Sequence, residues 1–258
     1  APLKNPPPPP DIAGMIASVA WLLFAPGTSG FAGTDADTLS SLAWVTAGGM
    51  LVWAALSVIC YRRFAKRYGE EFSSRVVSTV HAVISTIACG YAMAVQPTWQ
   101  LGIKPTFAAQ VAMCLSLAYF LVDLCGICML SYFEWVFLAH HGACIAGLGV
   151  ATFGGCSGFE LVACTFLCEV SNPAMHCRWI TLKRKGADNK LFRLLNICTV
   201  ALFVVARIVV GPILTVIAVS DAKNPPFVRL LAFVLQLVSL KYGWYIIRSE
   251  WRGHTWNI

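Results

Sequence analysis

The chain has 258 residues, of which 58% are hydrophobic and 12% charged, whereas about 25% of the residues in soluble domains are charged. A single water-soluble core cannot bury this much apolar side chain, so the composition excludes an ordinary soluble enzyme, a disordered chain and a secreted disulfide scaffold. The net charge is +7, and most basic residues flank apolar runs, which suits anionic lipid headgroups better than nucleic acid. The long apolar runs predict an all-α, polytopic membrane helix bundle and not a β-barrel.

The N-terminal segment 1–38 is predicted to be a proline-rich arm that carries a short interfacial or re-entrant helix. Five consecutive prolines at 6–10 exclude a helix there, because proline lacks a backbone N–H and clashes with the preceding turn. The apolar run Ile12–Ala25 is shorter than the roughly 20 residues that cross a bilayer. Trp21 and the following Pro26 favour an interfacial position, although a full crossing stays open as an alternative.

Seven longer apolar runs are predicted to cross the membrane in a domain at 39–247, with a C-terminal tail at 248–258. Basic residues are concentrated after the first run, after the fifth run and in the tail. If the chain crosses the membrane seven times, these three segments lie on the same side. The positive-inside rule then puts the C terminus inside and the N terminus outside. The predicted spans are Leu39–Tyr61, Val76–Gln96, Thr106–Leu130, Tyr132–Phe153, Gly158–Met175, Leu191–Val219 and Phe227–Ile247.

The chain contains 11 cysteines, most of them inside these apolar runs. Cys125 and Cys128 have the spacing of a metal or redox motif. Their position within a predicted span favours a role as small apolar packing residues, so no metal site is predicted.

Polar residues inside the predicted spans are the candidates for a functional site. Ionisable groups are costly in a membrane and generally face the bundle interior or a water-filled cavity. In the second span Arg75, Ser78, His81, Ser85 and Cys89 recur every three or four residues, which puts them on one helix face. A structural role is the alternative for each, and Arg75 has a further alternative, because its long side chain can extend to the interface.

Later spans add an aspartate, a histidine pair, a glutamate and an arginine. Asp123 lies in the third span, His140 and His141 in the fourth, Glu169 near the end of the fifth and Arg207 in the sixth. Adjacent helical residues point about 100° apart, so one histidine can face a cavity while the other supports it. Histidine suits general-base or nucleophilic chemistry near neutral pH. Hydrogen-bonded or ion-paired structural roles remain the alternative.

Several of these segments, taken in order along the chain, resemble TLC-domain proteins, the relatives of ceramide synthases. The segment Glu169–Pro173 is similar to that of the smaller, mostly non-synthase members. The homeobox-like segment of some synthases is absent. The segments that carry the resemblance are Ser74–His81, Tyr119–Leu124, His140–His141, Glu169–Pro173, Arg178–Trp179, Arg207–Ile208 with Pro212, and Trp244–Tyr245.

The resemblance implies a bundle of six or seven helices around a lipid-accessible cavity, in the endoplasmic reticulum. It implies catalytic roles for His140 or His141 as nucleophile or base, with Asp123 as the orienting group, if the protein transfers acyl groups. Acyl-CoA would then be the substrate, and no other cofactor is expected. The side chains expected to contact the ligand are Arg75, Ser78, His81, Glu169 and Arg207.

Three functions follow as alternatives. The first is the binding or remodelling of a lipid acyl chain, within lipid homeostasis. The second is ceramide-synthase-like acyl transfer. The third is a non-catalytic accessory subunit of a larger membrane complex, to which the proline-rich arm and small residues are suited. The expected partners are membrane lipids and, under the third alternative, other membrane subunits, with no nucleic acid.

Overall fold

The computed structural model of the protein describes residues 36–96, 100–129 and 135–251. Every regular element in these ranges is helical, which confirms the predicted all-α class. The expectations for the proline-rich arm and for Ile12–Ala25 lie outside the described residues. The same holds for the tail from residue 252 onward.

The helices follow the predicted spans closely, with one exception described below. Two of them, the first and the seventh, contain a π-helical segment, at Tyr61–Ala65 and Val204–Val210 respectively. The helices are α1 (Ala36–Tyr68), α2 (Glu70–Ala94), α3 (Phe107–Met129), α4 (Trp135–Gly154), α5 (Gly158–Glu169), α6 (Asn172–Lys185), α7 (Lys190–Ser220) and α8 (Pro226–Trp251).

Five of these helices, α1, α2, α3, α7 and α8, are long and apolar enough to cross a membrane. Large apolar side chains project outward from them, including Trp44 at 76% exposure and Leu51 at 74%. Such a surface is unfavourable in water and suited to hydrocarbon. Together with the composition, it identifies an integral membrane protein.

The predicted fifth span, Gly158–Met175, is wrong as one continuous helix. The helix α5 ends at Glu169, and α6 begins at Asn172. Pro173 is the cause, because it has no N–H for the helix ladder and its ring clashes with the carbonyl four residues earlier, that of Glu169. With 12 residues, α5 is only about 18 Å long, short of the roughly 30 Å hydrocarbon layer. The break therefore places Glu169 at a helix end inside the bundle.

The π-helical segment of α7 also has a proline beside it. The N–H of Gly211 bonds to the carbonyl of Ala206, five residues back, and Pro212 has no N–H to offer. The carbonyl of Arg207 is therefore left without its usual backbone donor. The side chain of Gln236 in α8 replaces it, with Nε2 donating to the Arg207 oxygen at 3.1 Å.

The start of α5 is fixed by close contacts with two loops. Ser157 has a left-handed backbone, with φ of 53°, and its hydroxyl donates to Asn224 Oδ1 at 2.6 Å. The N–H of Gly158 donates to the Ile103 carbonyl at 3.1 Å. A Cβ at Gly158 would lie 2.3 Å from the Cα of Pro105, so only glycine fits there.

Two basic segments meet at one end of the bundle. The guanidinium carbons of Arg67 and Arg184 lie 5.1 and 5.8 Å from the centre of the Tyr68 ring. These segments are 117 positions apart in the chain numbering (184 minus 67), yet they share one aromatic ring. This arrangement agrees with the prediction that both lie on the same side of the membrane.

Candidate functional site

A partly open cavity lies between α4, α5, α7 and α8, with Phe120 of α3 at one wall. The space between its lining atoms is about 980 Å³, counting the part open to the outside. Its walls are mainly apolar side chains such as Leu148, Leu161 and Leu231. The polar side chains that line it are His140, Glu160, Thr165, Glu169, Arg207, Thr215, Gln236 and Ser239.

Arg207 is held at the cavity wall by groups on both sides of the α5–α6 break. Its Nη2 donates to the carbonyl of Cys168 and, at 2.8 Å, to Oδ1 of Asn172. The guanidinium also lies over the ring of Phe203, 4.9 Å from its centre. The backbone of Arg207 is also held in place, because the side chain of Gln236 donates to its carbonyl. The guanidinium is therefore fixed in place before any ligand arrives.

Glu169 connects the cavity to a second polar region. Its Oε2 accepts from Asn172 Nδ2 at 2.9 Å and lies 3.9 Å from Nδ1 of His81. Asn172 thus bridges Glu169 and Arg207, using its amide NH₂ for one and its amide oxygen for the other. The helix break brings about this bridge, because it places Cys168, Glu169 and Asn172 around the end of α5.

The second region is a closed aromatic cluster beside the cavity. The ring of His81 stacks on Tyr119 with 3.7 Å between centres and 9° between planes. The Tyr119 hydroxyl lies 2.9 Å from Oγ of Ser78, and Trp53 meets both rings edge-on at 5.7 and 5.5 Å. His81 and Tyr119 are buried. We call Trp53, Ser78, His81 and Tyr119 the aromatic cluster.

The two adjacent histidines of α4 face different surroundings. His140 lines the cavity, whereas Nε2 of His141 lies 2.8 Å from Oδ2 of Asp123, and neither member of that pair is among the lining residues. The ring of Phe120 lies against both, 6.1 Å from His140 and 5.3 Å from His141. This agrees with the expected divergence of neighbouring helical side chains.

The structure therefore divides the predicted site residues among four places. His140, Glu169 and Arg207 line the cavity. Ser78 and His81 belong to the aromatic cluster, and His81 also lies beside Glu169. Asp123 and His141 form their own pair. Arg75 lies elsewhere, with Nη1 at 3.5 Å from Nδ1 of His176 and its guanidinium over the Trp179 ring.

The sequence argument overlooked Gln236 and Thr215, which also line the cavity. Thr215 Oγ1 donates to Gln236 Oε1 at 3.4 Å, and this fixes the amide that supports Arg207. The signal was present, because Gln236 is a polar residue in the middle of an apolar run. A neutral amide is less costly in a membrane than a charged group, so ionisable side chains give the stronger signal in a sequence.

Metal ligation finds no support in the part of the chain that the structure describes, where no group of three or more His, Cys, Asp or Glu side chains is placed to hold an ion. Cys125 is exposed and carries a free thiol. The side chain of Cys128 lies outside the described residues, so its pairing with Cys125 stays untested.

A family model described as the TLC domain matches residues 71–251. The match covers more than two thirds of the chain, from the first turn of α2 to the end of α8. It includes the α5–α6 break and all eight predicted site residues. The chain belongs to the TLC-domain family.

Proposed function

We propose that the protein binds or remodels a lipid acyl chain in the cavity between α4, α5, α7 and α8. One observation carries the proposal: the walls are mainly apolar, and at the end of α5 Asn172 joins Glu169 to Arg207 on the lining, a place we call the polar end. Glu160 and Glu169, both on the lining, are nine residues apart on α5, or about 13 Å along the helix. This elongated shape suits a chain with a polar head.

The physical driving force is the burial of the chain against the apolar walls. Each buried CH₂ group contributes about 0.8 kcal/mol when it leaves water, and the polar end orients the ligand. Apolar surroundings with a few polar groups are typical of small-molecule sites. The membrane-related character of the TLC domain supports the same assignment.

The first experiment measures lipid that co-purifies with the protein in mild detergent, by mass spectrometry of extracts. Leu231 lines the cavity and is 9% exposed, whereas its neighbour Leu230 is 59% exposed. We expect Leu231→Trp to fill the cavity and release the lipid, and Leu230→Trp to retain it. A wild-type protein that carries no lipid and takes none up after delipidation would contradict the proposal.

A second candidate, acyl transfer from acyl-CoA, is favoured by the His141–Asp123 contact of 2.8 Å. A carboxylate on one imidazole nitrogen fixes the orientation of the ring, and His140 lies beside it, with ring centres 5.6 Å apart. In this proposal His140 or His141 takes a proton from the lipid amine or attacks the thioester carbonyl itself. The acyl carbon–sulfur bond breaks, the CoA thiolate leaves and takes up a proton, and the acyl group ends on the amine. Asp123 orients His141.

Acyl transfer predicts a labelled product from radiolabelled acyl-CoA and a lipid amine, lost in His140→Ala and in His141→Ala. The matched control is Thr165→Ala, which removes a hydroxyl on the cavity lining that donates to the Leu161 carbonyl. Product formation by both histidine variants at the wild-type rate would exclude this candidate. Lipid binding would remain a separate question.

We also propose the endoplasmic reticulum as the location, from the resemblance to ceramide-synthase relatives, and membrane lipids as the partners. Co-localisation of the tagged chain with a marker of that membrane tests this, and exclusive localisation elsewhere would contradict it. The accessory-subunit alternative stays a prediction. It requires stable co-purification with other subunits.

A further inference from the structure

Arg207 has more hydrogen-bond donors than the surrounding protein accepts. A guanidinium carries five N–H groups, and the two bonds to protein acceptors both come from Nη2. Nε is buried and has no partner within the described ranges. No carboxylate in those ranges lies within ion-pair distance of Arg207. A cation with unmatched donors in an apolar setting is costly unless another group supplies acceptors and charge.

The position of Arg207 favours a ligand as that group. Arg207 lines the cavity, and Asn172, Phe203 and Gln236 fix its side chain and backbone from three directions. A guanidinium fixed in this way loses little conformational freedom when it binds an acceptor. The polar end of the cavity is thus prepared for an oxygen-rich head group.

The charge of Glu169 limits what that head group is. Its Oε2 is engaged by Asn172 at 2.9 Å and lies 3.9 Å from His81, and neither of these residues is part of the lining. The carboxylate is thereby directed partly away from the cavity, so a single negative charge near Arg207 is tolerated. A doubly charged phosphate would meet stronger repulsion from the same carboxylate.

We propose that the ligand is a lipid with a free carboxylate, a fatty acid anion, whose head binds the unpaired N–H groups of Arg207. Its chain extends along the apolar walls of α4, α5 and α8. This inference rests on the proposed lipid-binding function and names its ligand class. A carboxylate forms charge-assisted hydrogen bonds with guanidinium that are about twice as strong as those of neutral acceptors. An alcohol or ester provides an acceptor without the charge.

The test compares oleate with oleyl alcohol, which has the same chain and a neutral head, on the delipidated full-length protein. We expect oleate to bind about tenfold more tightly or better, the size of effect that one charge-assisted bond gives. Arg207→Gln removes the preference while oleyl alcohol still binds. Arg229→Gln is the matched control, because Arg229 lies outside the cavity lining and donates to the backbone carbonyls of Ala222 and Asn224.

Each other outcome points to a different failure. Equal binding of the two ligands by the wild type overturns the carboxylate inference and leaves the proposed function standing. Binding of neither overturns the proposed function. Tighter binding of a lysophosphatidate than of oleate overturns the choice of a carboxylate over a phosphate. If Arg207→Gln does not fold, Leu231→Trp on the same two ligands shows whether the preference belongs to this cavity.

Discussion

The open cavity and the aromatic cluster both contact Phe120, and each holds a buried nitrogen without a hydrogen-bond partner in the described ranges, Nε of Arg207 and Nε2 of His81. In the aromatic cluster, the ring of His81 is packed against Tyr119 and away from the cavity lining. At the cavity, Arg207 lines open space. The difference teaches that incomplete hydrogen bonds inside a membrane bundle indicate a binding site only where the polar residue also lines a cavity.

The surroundings also separate the paired histidines. His141 pairs with Asp123 away from the cavity lining, and His140 lines the cavity. A motif of two adjacent residues therefore does not form one site. The two adjacent histidines instead lie in different environments. Glu169 makes a further connection between the cavity and the aromatic cluster, because it contacts both Asn172 and His81.

The largest effect is expected when the helix shared by both regions is displaced. In Gly158→Ala the new Cβ meets the Pro105 backbone at 2.3 Å, and backbone cannot move aside as a flexible side chain does. We expect α5 to shift and the unfolding free energy to fall by about 3 kcal/mol, measured by thermal denaturation in detergent. Gly142→Ala, with nothing within 4 Å, is the control. Equal melting temperatures for the two variants would disprove the contact.

Asp123→Ala breaks the Asp123–His141 pair next to Phe120. It removes the 2.8 Å contact between the Asp123 carboxylate and Nε2 of His141, and losing a hydrogen bond of this kind costs about 1–3 kcal/mol. We expect lower thermal stability with co-purified lipid retained, since Asp123 does not line the cavity. Loss of lipid at unchanged stability would mean that the two regions are not separate.

Gln236→Leu removes a hydrogen bond at the cavity, and we expect a loss of stability similar to that of Asp123→Ala. The Arg207 carbonyl loses the donor at 3.1 Å, so we expect a loss of about 1–2 kcal/mol together with weaker retention of lipid. The matched control is Gln110→Leu, whose amide donates to the Thr152 carbonyl at 3.2 Å outside the lining. The control should lose stability and keep the lipid. The same lipid content in both variants would contradict the role given to Gln236.

Tyr119→Phe should give the smallest effect. It removes the hydroxyl that lies 2.9 Å from Ser78 and keeps the ring stacked on His81, for a cost of about 1 kcal/mol. Ser78→Ala removes the other half of the same contact. The double variant should therefore lose less stability than the sum of the two single losses, and lipid content should not change. A strictly additive loss would show that the hydroxyls do not interact.

Much of the bundle was predictable from sequence, because span length and helix periodicity are local properties. The bounds of α7 and α8 and the divergence of His140 from His141 follow from them. The α5–α6 break was missed because hydropathy is averaged over a run, and one proline hardly changes the average, although Pro173 alone ends the helix.

The composition of the cavity was less predictable. Arg207, Asn172 and Glu169 come from different helices, and no rule of spacing states that they meet. Arg75 lies on a polar face, as periodicity predicts, yet its own side chain contacts His176 and Trp179 of α6 and not the cavity. Which helix covers which face depends on tertiary packing, and the sequence pattern does not contain it.

The hydrogen bond from Gln236 to the Arg207 carbonyl has a consequence for how this protein tolerates change over evolution. Hydrocarbon offers no water to replace a lost donor. The side-chain amide of Gln236 and the backbone carbonyl of Arg207 must therefore keep the same relative position on the two helices. Inserting one residue into α8 before Gln236, or into α7 after Arg207, would rotate one of them by about 100°. The lengths of α8 before Gln236 and of α7 after Arg207 are therefore constrained by this one hydrogen bond.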